Sequence, residues 1–119
     1  MRALLFDPNV VAAKRIGNMI ELHAKDAQVD YAPNTAVLQH RLANNHYDLV
    51  LADIDTTLDV EGAAELLRAV KEPTHVFLLS QFDRVDWLKN VKKSIAGAHI
   101  IHKPATPQEV ESMAAVAAH

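Results

Sequence analysis

Four polar side chains in this chain each stand at the end of an apolar run. Asp7 follows Ala3-Leu4-Leu5-Phe6, Asp53 follows Leu49-Val50-Leu51-Ala52, Ser80 follows Val76-Phe77-Leu78-Leu79, and Lys103, next to Pro104, follows Ile100-Ile101-His102. Two carboxylates can hold a cation or act as nucleophiles, a hydroxyl can hydrogen-bond, and an ammonium can offset negative charge. Short, nearly continuous apolar runs separated by helical stretches read as buried parallel strands, whose carboxyl ends share one edge of a sheet. The four groups are therefore expected to converge in the crevice where open α/β sheets place their ligands.

The elements that must position them alternate along the chain. The first strand is expected over about Arg2–Phe6, and a helix over about Val10–Lys25, with Val11, Ile16, Met19, Ile20 and His23 near helical spacing. A short second strand, Gln28–Ala32, precedes Pro33-Asn34-Thr35, which opens a helix to about Ala43 burying Val37, Leu38 and Leu42. The third strand, Asp48–Ala52, feeds a polar loop from Asp53 through Asp55 to Thr57. The third helix, about Val60–Lys71, carries Ala63, Leu66, Leu67 and Val70 on one face and stops at Glu72-Pro73. The fourth strand is His75–Leu79, and the fourth helix, about Asp83–Ser94, has Val85, Leu88 and Val91 on one stripe. The fifth strand is Ala98–His102. Thr106-Pro107-Gln108-Glu109 starts the last helix with an N-cap, a proline at the first helical position and an acid at the third. Strict alternation of five strands and five helices fits a parallel sheet covered on both faces and joined by right-handed crossovers.

Composition narrows the function classes. The chain has 119 residues, half of them apolar and three of them glycine, which suits one folded, helix-rich domain over 1–119. A net charge of −3 gives no electrostatic reason to expect nucleic-acid or membrane binding. With no cysteine, disulfides, thiol catalysis and thiolate metal sites are excluded. No stretch has the length of a bilayer span and Met1-Arg2 does not open a signal peptide, so a cytoplasmic protein is expected.

These residues resemble the receiver domain of two-component response regulators over nearly the whole chain. Tyr47-Asp48-Leu49-Val50-Leu51-Ala52-Asp53-Ile54 is similar to that family's phosphoacceptor strand, and Lys103-Pro104 to its strand-five lysine and proline. Ser80 stands 27 positions after Asp53 and Lys103 stands 50 after it, as in the family. The resemblance implies a flavodoxin-like (βα)5 three-layer sandwich around a five-stranded parallel sheet of order 2-1-3-4-5. It implies Asp53 as the phosphoacceptor, Ser80 as the hydroxyl that hydrogen-bonds the phosphoryl group, Lys103 as its charge partner, and a weakly held Mg2+ near Asp7, Asp53 and Asp55. Such groups suit the chemistry, since a carboxylate attacking an anionic phosphoryl group needs positive charge to offset the accumulating negative charge. The implied role is signalling rather than enzymatic turnover. A histidine kinase or phosphotransfer protein would be the donor, and a target or second copy would dock on the fourth helix, fifth strand and fifth helix.

The chain departs from the family pattern. An ungapped count puts Asp7 and Pro8 on the family's acidic pair, and a shift by one puts Phe6 and Asp7 there, so one acid is missing in either register. Metal affinity should fall accordingly. Asp7 can also be read as a helix N-cap before Pro8. Gln81 stands where a small residue is usual, and Ile100 where an aromatic usually reports phosphorylation. These changes favour an alternative, a phosphorylation-independent interaction module of the same fold. A small hydrolase or nucleotide-binding protein using Asp7, Asp53 and Asp55 is disfavoured, because Asp7-Pro8-Asn9 lacks the glycines of a phosphate loop. The histidines do not suggest a metal centre: His99 and His102 should point to opposite faces of one strand, and His40 and His46 have no third ligand nearby. Trp87 reads as a packing or docking aromatic on the fourth helix.

Overall fold

The computed structural model describes residues 1–55, 60–70, 74–81 and 98–117. The helix expected over 83–94, with Trp87, and the stop at Glu72-Pro73 lie outside the described residues. Five strands, β1 Arg2–Phe6, β2 Gln28–Ala32, β3 Leu49–Asp53, β4 His75–Ser80 and β5 His99–His102, form one sheet. All neighbours pair in parallel and the order is β2-β1-β3-β4-β5, as expected. The order of pairing places β3 at the centre, with all five of its residues buried.

The near-continuous apolar character of the strands follows from a sheet covered on both faces. Because successive side chains alternate, Ala3, Leu5, Leu49, Leu51, Phe77 and Leu79 build one core with α1 (Val10–His23) and the C-terminal helix (Pro107–Ala117). Leu4, Phe6, Val50, Ala52, Val76 and Leu78 build the other with α2 (Thr35–Asn44) and α3 (Val60–Arg68). The two cores sit on opposite faces of one sheet.

Helix starts follow the capping chemistry in the sequence. Asn34 Oδ1 accepts from the Val37 amide at 2.9 Å and opens α2. Thr106 Oγ1 accepts from the Glu109 amide at 3.1 Å while Glu109 Oε1 accepts from the Thr106 amide at 3.0 Å, the reciprocal box expected before the last helix. In α1 the cap is Asn9, whose Oδ1 accepts from the Ala12 amide at 3.2 Å, so the capping role expected of Asp7 falls two residues later.

The buried face of α1 also differs from the apolar stripe read from spacing. Ala13, Ile16, Gly17 and Ile20 are buried, whereas Val11 is 81% exposed and His23 is exposed. Small residues set this face: a Cβ on Gly17 would lie 2.1 Å from the Tyr31 hydroxyl, so the helix approaches β2 only where no side chain intervenes. Close approach at Gly17 turns Val10, Val11 and Leu22 outward.

This rotation is testable. Ile20→Ala, at a site with no exposure, should cost about 2–5 kcal/mol in urea denaturation, whereas Val11→Ala should change stability by about 0.5 kcal/mol or less. Equal costs at the two positions would contradict the face assigned to α1.

Candidate functional site

Parallel pairing brings the carboxyl ends of β1, β3, β4 and β5 to one edge, and all four expected residues meet there. Asp53 and Ser80 are the last residues of their strands, one position later than the strand ends read from the sequence. Both are buried in spite of their polarity, as is Asp7. Lys103 follows β5 directly, and its amide donates to the Ser80 carbonyl at 2.9 Å, fixing the two strand ends to each other.

Buried polar groups persist when they are partnered, and these are partnered by one another. Lys103 Nζ lies 2.6 Å from Asp53 Oδ2 and 3.3 Å from Asp55 Oδ2. Asp53 Oδ1 accepts from the Asp55 amide at 2.9 Å, which turns the chain back over the strand end. Asp55 Oδ1 accepts from Ser80 Oγ at 2.7 Å, and its Oδ2 accepts from the Gln81 amide at 2.6 Å. Burial works against the Asp55 carboxylate, but Ser80, the Gln81 amide and Lys103 outweigh it and hold its pKa below the ordinary value. Burial likewise disfavours the Lys103 ammonium, yet Asp53 and Asp55 overcome that and raise its pKa.

Asp7 stands apart from this network. Its amide donates to the Ala32 carbonyl at 3.1 Å, and its Oδ1 accepts from the Asn9 amide at 2.8 Å. Burial raises its pKa; the Asn9 amide opposes the rise, and the charge of Asp53 adds to it. Asp7 and Asp53 line one cleft of about 340 Å3 together with Lys103, Pro104, Arg15 and Gln81.

Not every expected ligand faces that cleft. The structure brings Asp7 and Asp53 together but commits both Asp55 oxygens to Ser80, Gln81 and Lys103. Among the described residues no three acids or histidines are grouped to hold a metal ion. Two hard carboxylate oxygens still suit a hard divalent cation, at the reduced affinity that few charged ligands confer.

Sequence reasoning missed the Gln81 amide and the direction of Asp55. The available signal was charge: an acid two residues after a strand-ending aspartate, with a lysine due at the same edge, needs donors of its own. A larger groove of about 450 Å3 between α2 and α3 is lined by Leu42, Tyr47, Leu66 and Val70, and it lies away from the carboxyl edge where the reactive groups gather. Ile100 is half-buried and packs against the core between the sheet and α2–α3. Outside the site, His99 stacks on Phe77 with ring centroids 5.1 Å apart, a packing role.

No protein-family model matches the sequence, and none of the curated proteins matches it significantly. Solved structures do. A CheY-like response regulator receiver domain protein from Methanospirillum hungatei JF-1 is 20% identical, with 93% of this chain and 87% of that one covered, at a TM-score of 0.78. A CheY-like receiver domain from Methylobacillus flagellatus is 20% identical over 98% of both chains, also at 0.78. The chemotaxis response regulator CheY4 of Vibrio cholerae is 16% identical over 97% of both chains, at 0.75. The chain therefore has the CheY-type receiver fold across nearly its full length. No helix among the described residues is long and apolar enough to cross a membrane.

The raised pKa of Asp7 sets a pH dependence. A carboxyl that holds its proton more tightly in the folded state costs stability as pH rises through the interval above the ordinary aspartate value. Asp7→Asn keeps an oxygen for the Asn9 amide and removes the charge. Its urea midpoint should exceed that of the wild type at about pH 7, and the difference should vanish by about pH 3, where the wild-type carboxyl is protonated too. A lower midpoint at neutral pH would mean that a cation balances Asp7 in solution.

Proposed function

We propose that this receiver-fold domain works in two-component signalling, with Asp53 accepting a phosphoryl group from a phosphohistidine of a histidine kinase or phosphotransfer protein. The observation that carries the reading is the Lys103 ammonium 2.6 Å from Asp53, both lining a strand-end cleft that Asp7 also lines. The receiver fold supports the same reading.

In this mechanism a carboxylate oxygen of Asp53 attacks phosphorus in line. The new bond is Asp53 O–P; the P–N bond to the imidazole breaks, and its electron pair leaves with the ring nitrogen, which takes up a proton. Lys103 and the Asp55 amide stabilise negative charge on the attacking Asp53 carboxylate. Lys103 offsets charge building on the phosphoryl oxygens, and Ser80, once released from Asp55, would donate to one of them. Asp7 and Asp53 are the residues that would hold Mg2+, and that ion would supply further charge neutralisation. Asn9 and Ala12 also line the cleft, whose volume is about 340 Å3. The product would be read by a target or a second copy at the surface of β5 and the C-terminal helix. The protein is expected to act in the cytoplasm.

A second reading, an interaction module that needs no phosphorylation, is favoured by one specific feature. Pro8 stands beside Asp7, leaving that side of the cleft a single carboxylate.

Intact-mass spectrometry after incubation with acetyl phosphate and Mg2+ separates the two. A gain of one phosphoryl group in the wild type, lost in Asp53→Ala and diminished by omitting Mg2+, is the expected result. No gain over hours of incubation, with the fold intact by circular dichroism, would overturn the phosphotransfer reading in favour of the second.

A further inference from the structure

Three donors at the sheet edge share one acceptor. Ser80 Oγ, the Gln81 amide and Lys103 Nζ all point at the carboxylate of Asp55, at 2.7, 2.6 and 3.3 Å. They come from β4, the residue after it and the residue after β5, so the sheet itself holds them in place. A hydroxyl, a backbone amide and an ammonium aimed at one point form an anion cradle. Asp55 fills that cradle from within the chain, with its side chain only 4% exposed.

We propose that Asp55 is a built-in competitor for the phosphoryl group: its carboxylate holds the oxyanion cradle of Ser80, Gln81 and Lys103, and a phosphoryl group on Asp53 gains those donors only when Asp55 leaves. The inference rests on the phosphotransfer reading for its ligand, and it deepens that reading by assigning Asp55 a regulatory role in place of metal binding. Donor counting supports it. A serine hydroxyl has one hydrogen and a backbone amide has one, so neither can serve a second anion while bonded to Asp55. Lys103 has three, of which Asp53 and Asp55 take two. Charge supports it as well, since a phosphoryl group brings further negative charge onto a carboxylate whose favourable partners it must share.

The consequence is a conformational tax. Apparent affinity for an oxyanion falls by the fraction of molecules in which Asp55 has vacated the cradle. Asp55 is a positioning residue here: its side chain makes no hydrogen bond to the Asp53 carboxylate and acts through the donors it occupies. Its own amide bond to Asp53 Oδ1 comes from the backbone, so replacing the side chain leaves that contact available.

Two arms test the proposal. In the first, inorganic phosphate is titrated into the full chain and the Gln81 amide resonance is followed by NMR. Asp55→Ala should bind at least about tenfold more tightly than the wild type, with Asp55→Asn, which keeps the shape and one acceptor oxygen, in between. Adding Ser80→Ala to Asp55→Ala should reduce the gain, which places the phosphate in the cradle. Equal affinity in wild type and both variants, with all of them folded by the same spectra, would overturn the proposal. In the second arm, the rate of Asp53 labelling by acetyl phosphate and Mg2+ should rise by a similar factor in Asp55→Ala. Tighter phosphate binding without labelling of Asp53 in any variant would uphold the cradle and overturn phosphotransfer. Labelling at equal rates, with equal phosphate affinity, would do the reverse.

Discussion

Lys103 keeps its ammonium within 2.6 Å of Asp53 and 3.3 Å of Asp55 while a fifth of its side chain reaches solvent, and the sheet edge is organised around that arrangement. A cation this withdrawn from water is stable only with anionic partners, and each anion is stable only with the cation. The backbone enforces the meeting: the Lys103 amide is tied to the Ser80 carbonyl, and the Ile54 amide donates to the Leu79 carbonyl at 3.2 Å, so the ends of β3, β4 and β5 are locked in register. The polar network is thus a consequence of parallel pairing, and it also resists any slip that would separate its members.

The opposite edge of the sheet shows what a cluster looks like when it only holds structure. Asp30 Oδ2 accepts from Arg2 at 3.1 Å and from the Tyr47 hydroxyl at 2.8 Å, with Arg41 at 4.0 Å. Burial raises the Asp30 pKa, but Tyr47, Arg2 and Arg41 outweigh it and leave it lowered, while burial and the bond to Asp30 push Tyr47 up to about 12. One acid there meets two cations and a phenol. At the carboxyl edge the balance is reversed, with Asp7, Asp53 and Asp55 gathered near Lys103, and Arg15 on the cleft lining. An edge with surplus carboxylate and an open cleft has the electrostatics of a site that awaits positive charge or exchanges anions.

Much of this was legible before any coordinates. The strand positions and the meeting of Asp7, Asp53, Ser80 and Lys103 follow from apolar runs ending in polar residues, because buried parallel strands write themselves as uninterrupted hydrophobic stretches, whereas the sheet order comes from the resemblance to receivers. Asn34 and the Thr106–Glu109 box were readable because capping is local chemistry. The face of α1 was not, because hydrophobic spacing weighs Val11 above Gly17, whereas close contact with Tyr31 selects the residue with no side chain. The direction of Asp55 was not readable either. It depends on donors from β4 and from beyond it, 25 and 26 residues away in sequence, which only the folded sheet brings within reach.

The placement of acids gives the site its individual character. The resemblance to receivers implies two carboxylates after β1, and here Pro8 removes one of them, while Asp55 adds one beside Ser80 and Lys103. The number of acids near Asp53 is kept, but one has moved from the side that would hold a cation to the side that would hold the phosphoryl oxygens. The first change weakens the pull on an incoming metal ion, and the second satisfies internally the donors that a phosphoryl group would need. With Asp53 as the proposed phosphoacceptor, both changes would raise the threshold for phosphorylation, one through cation affinity and one through competition for hydrogen-bond donors. Lys103 belongs to both, since it balances Asp53 and Asp55 together, so any event that draws Asp55 away leaves the full ammonium to Asp53 and whatever anion Asp53 carries. In the proposed mechanism, competition at the cradle and reactivity at the acceptor are therefore coupled through one side chain, Lys103.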